Sequence, residues 1–163
     1  MAQPKGLGQI RVSVDLRPAD VAAMTQAFKD FNGQLKEHVL KKAINEGAEI
    51  VLQVANQKVP KRTGRLYFSL GKKGYSSKAD GTVGIYVLAR RKDGYKGNHA
   101  HLIEYGHRKV VRKKKGYGLV DKGFVPAQPF LRPALEENRA EVFGIIATEL
   151  AFAASKFKAK GQS

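Results

Sequence analysis

The chain has 163 residues, a formal net charge of +16 and a pI near 10.1, well outside the range of an ordinary small enzyme. It has no cysteine, which excludes a disulfide framework, thiolate chemistry and cysteine–zinc sites. No apolar run reaches the ~20 residues of a membrane-spanning helix, and MAQPKGLGQI lacks the basic start and apolar core of a signal peptide, so cytoplasmic synthesis is the expectation.

One domain is expected over residues 9–157, after a flexible segment at 1–8 and before a frayed tail at 158–163. From Gln9 to Leu16 apolar residues alternate, with Ile10, Val12, Val14 and Leu16 pointing one way, as in a half-buried strand. Pro18 suits the first turn of a helix running to about Phe31, with Val21, Met24 and Phe28 on one face. Asn32-Gly33 then reads as a break.

The longest helical pattern covers Gln34–Lys58. Leu40, Ile44, Gly47, Val51 and Val54 recur at steps of four and three, and Leu35, Val39, Ala43 and Ile50 widen the stripe beyond one face. Gly47 in mid-helix points to close packing, and Pro60 ends the helix. Tyr67–Leu70 reads as a strand or short helix, residues 71–81 as a loop, and Thr82–Ala89 as a strand. Residues 90–98 form a basic glycine-rich loop. Asn98 is placed to cap a short helix at His99–Tyr105 that Gly106 ends. His107–Phe124 reads as an extended hairpin or a disordered arm. Pro126–Pro133 is a rigid lead-in to a helix from about Arg132 to Phe157, with Leu135, Val142, Ile146, Leu150, Ala153 and Phe157 as its stripe. The fold class expected is α+β, a small mixed or antiparallel sheet packed against two long helices.

The charge is unevenly spread. From Arg90 to Lys122 eleven Lys/Arg face three acids, a local charge of +8, and Ile50–Ala79 holds seven Lys/Arg and no acid. Such clustering attracts polyanions or an acidic protein partner. The candidate contacts are Arg90, Arg91 and Lys92 in one loop, and Arg108, Lys109, Arg112, Lys113, Lys114 and Lys115 in the arm. Phosphate contacts there would be salt-sensitive and independent of sequence. A solvated loop is the bland alternative. A third option is a strand added to a partner's sheet edge, with Val110-Val111 buried as its anchor.

Enzymatic chemistry finds little support. His99, His101, Glu104 and His107 lack the spacing and supporting ligands of a metal centre. The chain has no nucleophile elbow, no phosphate-cradling loop with a following Lys-Ser/Thr, and no convincing carboxylate pair. Neither a cofactor nor a metal is expected. Lys61-Arg62-Thr63-Gly64-Arg65 could be a phosphate-binding turn, but a structural turn, with Thr63 capping and Gly64 allowing a tight path, is favoured. Glu104 lies in a basic region and is expected to pair with Arg132 or Arg65, fixing local packing.

Three motifs carry a family resemblance: Val59-Pro60-x-x-Thr63-Gly64-x-Leu66, Leu102-x-Glu104-x-Gly106 and Pro129-Phe130-Leu131-x-Pro133-Ala134. In this order and spacing the chain resembles the tail-completion (gp-ten-like) family of long-tailed phages, small proteins of the head–tail junction. His107 departs from the Thr that commonly follows the Glu-x-Gly in this family. The resemblance implies a non-enzymatic virion protein of the neck, made in the host cytoplasm. It would form a homo-oligomeric ring matching tail symmetry, a hexamer, beside head-closure, tail-terminator or tail-tube proteins. It implies that Pro60, Thr63, Gly64, Leu66, Glu104, Gly106, Pro129, Phe130, Arg132 and Pro133 are structural. The arm would reach a neighbour or the double-stranded DNA of the channel. Two readings from other classes stand beside it: a standalone basic nucleic-acid-binding protein, and, third, a metal-dependent nuclease using His99 and His101.

Overall fold

A computed structural model describes residues 11–16, 33–77, 82–92, 94–112 and 118–160. The segment 1–8, the helix expected at 18–31, the break at Asn32, Lys113–Lys115, Tyr117 and the last three residues lie outside the described residues. The elements run β1 (Arg11–Leu16), α1 (Gly33–Lys58), α2 (Arg65–Ser69), β2 (Leu70–Ser76), β3 (Val83–Ala89), a 3-10 turn (Gly97–His99), α3 (Ala100–Tyr105), β4 (His107–Arg112), β5 (Leu119–Val125), α4 (Leu131–Glu136) and α5 (Arg139–Lys160). This is an α+β fold with five α-helices and two small antiparallel sheets among the described residues.

The main sheet has the order β1-β3-β2. Central β3 pairs Val87 with Val12 and Lys72, and Ile85 with Val14 and Gly74. One face of β3 sends Val83, Ile85, Val87 and Ala89 into the core, where they meet the buried face of α1. On the other face Tyr75 lies over Gly84 and stacks on Tyr86 with centroids 4.3 Å apart, while Arg11 covers the Tyr86 ring. A Cβ at Gly84 would come within 2.6 Å of the Tyr75 ring, so this stack needs a glycine beneath it.

Helix α1 lies between the sheet and α5. That position explains its double-sided burial: Leu40, Ala43, Ile44, Ala48, Val51 and Ala55 are all buried. The expectation that both long helices pack on the sheet is corrected here. Only α1 does so, and α5 packs chiefly on α1 through Val142, Ile146 and Leu150, spaced by four. A Cβ at Gly47 would stand 3.0 Å from Ile146 and Val142, so the glycine sets the helix–helix distance. Gly47→Leu should overpack this crossing and cost about 1–3 kcal/mol. A lowered denaturant midpoint at unchanged m-value would register it.

Two further expectations are corrected. Residues 71–76 are not loop but edge strand β2. Gly71, Gly74 and two lysines give no apolar alternation, and pairing to β3 imposes the extended form from outside, with lysines suiting an exposed edge. The C-terminal helix is two helices, interrupted at Glu137-Asn138. There the Asn138 side-chain amide donates to the Ala134 carbonyl at 3.0 Å and competes with the helical ladder.

Candidate functional site

The segment from Ala100 to Pro133 contains a buried carboxylate bound by backbone amides. Glu104 sits on α3, is only 4% exposed, and accepts three backbone hydrogen bonds from the start of α4. Its Oε2 takes the N–H of Phe130 at 2.9 Å and of Leu131 at 3.1 Å, and its Oε1 takes the N–H of Arg132 at 2.9 Å. The orphan amides of a helix start and a buried anion satisfy each other here. The expected ion pair with Arg132 or Arg65 is not formed. Arg132 contributes its backbone, and its guanidinium lies 3.9 Å from Glu136 instead. With Glu104 holding the amides, Phe130 and Leu131 plug the core below, and Pro129 and Pro133 shape the elbow.

The remaining motif residues fall at turns and in the core. Gly64 adopts φ 68° at the start of α2, a left-handed conformation suited to glycine, and packs under the Phe68 ring. Thr63 is exposed and α2 has no side-chain cap, so the capping role proposed for Thr63 is corrected. The 3-10 turn and α3 likewise form without a cap from Asn98. Leu66 is buried, and Val59, just before Pro60, closes the last turn of α1 with a 2.9 Å bond to Ala55. Gly106 has φ 72°, and a Cβ there would reach within 2.7 Å of the Val125 carbonyl. His107, where the motif departs from Thr, donates from Nδ1 to the Leu102 carbonyl at 3.2 Å and ties the hairpin root to α3. Gln128 donates its N–H to Ile103 on the other side of that root.

From this root rises the β4–β5 hairpin. Of the two forms expected for 107–124, the described part is the paired one. Its register places Arg108 opposite Phe124, Val110 opposite Asp121, Val111 opposite Val120 and Arg112 opposite Leu119. Lys122 and Gly123 face Lys109 alone, a bulge made possible by Gly123 at φ 91°. Asp121 binds Arg108 at 3.1 Å and accepts the Gly123 N–H at 2.9 Å. Leu119 is 68% and Phe124 66% exposed, and Val110 and Val111 on opposite faces are both exposed. In the single chain Val110 and Val111 are thus uncovered, as residues that anchor on a partner's sheet edge would be before it docks.

The loop cations occupy a different place. An open cavity of about 580 Å³ is lined by Lys72, Lys73, Leu88, Arg90, Arg91, Lys92, Tyr95 and Asn98. Arg90 is fixed in its wall: its guanidinium donates to the carbonyls of Phe68, Ser69 and Leu70, which end α2, and lies 3.6 Å over the Tyr95 ring. Gly71 makes room for it, since a Cβ there would meet Nε at 2.7 Å. Lys72 borders the cavity but turns its ammonium to Glu49 at 2.5 Å. Sequence reasoning missed Lys73 as a partner of this loop, because residues 71–76 read as loop in the sequence and their place beside β3 comes from the strand pairing.

A family model described as "Bacteriophage HK97-gp10, putative tail-component" matches residues 22–106, just over half of the chain. The chain belongs to the HK97-gp10-like family. No curated protein and no solved structure matches it at a significant level. As an HK97-gp10-like protein it is a structural tail component of a bacteriophage particle, in keeping with a neck or tail-completion family. The segment shared with the family includes α1, the Gly64 turn, the loop cations and Glu104; the hairpin, α4 and α5 follow it. Among the described residues no three His, Asp or Glu side chains converge as a metal site. Both oxygens of Glu104, the carboxylate of the His cluster, are engaged by amides.

Proposed function

We propose that this protein forms a ring at the neck or tail top that completes the tail and joins it to the head. The observation that carries this reading is the β4–β5 hairpin. It is a two-stranded sheet exposing Leu119, Phe124, Val110 and Val111, with cations beside them. A two-stranded ribbon is marginal alone in water, and apolar side chains of this size on both faces favour a protein contact over a phosphate backbone. In a head-to-tail ring each hairpin would reach the adjacent copy or a neighbouring head-closure, tail-terminator or tail-tube protein. Tail symmetry makes a hexamer the natural closure.

The test is the solution mass by light scattering at physiological salt, with and without tail-tube protein. A species of about six times the 17.9 kDa chain, alone or only with the tube protein, is the expected result. Leu119→Ser with Phe124→Ser should abolish that species. Because both residues are exposed, the unfolding free energy should move by no more than about 0.5 kcal/mol per site. A chain that stays monomeric with all its neck partners would overturn the ring and leave the standalone nucleic-acid-binding alternative in its place.

A further inference from the structure

We infer that the cavity between β2 and the 90–98 loop is a seat for the phosphate backbone of duplex DNA. Its lining brings Lys73 from one strand together with Arg90, Arg91 and Lys92 from the end of the next. Its described lining is rich in cations with one apolar side chain, Leu88, and one aromatic ring, Tyr95, whereas the hairpin mixes its cations with four exposed apolar side chains. That contrast separates the two basic regions by chemistry. A surface of cations around a concave floor suits a polyanion, and an apolar ribbon suits a protein.

The site is also built. Arg90 is held by three carbonyls and a stacked ring, so its charge stands in one position before any ligand arrives. Gly97 allows the loop to close over β3: a Cβ there would come within 2.6 Å of the Arg90 carbonyl, which the Gly97 N–H binds at 3.0 Å. Asn98, exposed beside the cations, adds amide donors.

Three features select the ligand. A volume near 580 Å³ with an open mouth admits an extended backbone. Tyr95 already has Arg90 over its ring, so the aromatic platform that single strands require is occupied. Among the described residues no helix projects from the cavity to enter a major groove, so readout is of charge and not of base. The inference rests on the neck-ring reading only for where the chain meets duplex DNA; binding itself is a property of one chain.

The experiment is fluorescence polarisation of a labelled 20-bp duplex with the full chain, over a salt series. Lys73→Gln with Lys92→Gln should weaken binding about tenfold and lower the slope of log K against log salt by about two, one per lost phosphate contact. Lys109→Gln with Lys122→Gln, which removes the same charge from the hairpin, should leave both values nearly unchanged. Equal losses from the two pairs would overturn the site in favour of diffuse attraction to a +16 chain. Displacement of the duplex by millimolar inorganic phosphate at constant ionic strength would overturn it in favour of a small-anion site. Neither outcome touches the ring, which the mass measurement decides separately.

Discussion

Glu104→Ala is expected to destabilise the domain by about 3–5 kcal/mol, a large share of a typical domain's total stability. The substitution removes one buried carboxylate and strands three amides at once, those of Phe130, Leu131 and Arg132. An unsatisfied buried N–H costs about 1–3 kcal/mol, and water admitted to the gap recovers part of the sum. Glu104→Gln keeps the shape but offers one acceptor oxygen where the carboxylate uses two, so about 1–3 kcal/mol should be lost. Urea unfolding of both variants checks the order. An alanine variant within 1 kcal/mol of the parent would mean that the amides find other partners.

Phe130→Ala is expected to cost a comparable 3–5 kcal/mol, for a different reason. The ring is fully buried in the hydrophobic core, and its removal leaves a cavity that the neighbours fill only in part. The same residue's N–H is one of the three that Glu104 holds, so the two sites are coupled. The double variant should lose less than the sum of the single losses, with a coupling of about 1 kcal/mol or more. Strict additivity would show that the carboxylate does not hold the ring in its seat.

The parts of this fold that were legible in the sequence are those in which local pattern and tertiary burial agree. The stripe from Leu40 to Val54 and the step-of-four series Val142, Ile146, Leu150 report their own burial, because a helix that faces a core must repeat near 3.6 residues. Gly47 was readable as a packing residue for the same reason: nothing else justifies a glycine in mid-stripe. Strand β2 was not readable, because its conformation is dictated by a partner strand and its own side chains carry no alternation. The role of Glu104 was half readable. An acid in a basic, apolar setting needed a partner, but backbone amides leave no signature in a sequence, and arginine was the visible candidate. Among the proposed contact residues, Arg90–Lys92 and the hairpin cations looked like one basic region, and the fold divides them because the chain between them turns through α3.

The hairpin also has a consequence for how the proposed ring would be put together. The excursion from Glu104 to Phe130 spans 26 residues and is closed at its base by the carboxylate clamp, by His107 on Leu102 and by Gln128 on Ile103. Its direction is thus decided when the subunit folds, by contacts gathered at the root of the ribbon. A partner that docks on the hairpin loses little orientational entropy at its root, because that freedom is already gone. In the proposed ring a wrongly placed neighbour would meet a hairpin whose root is already set, so geometry present before assembly would favour the correct placement.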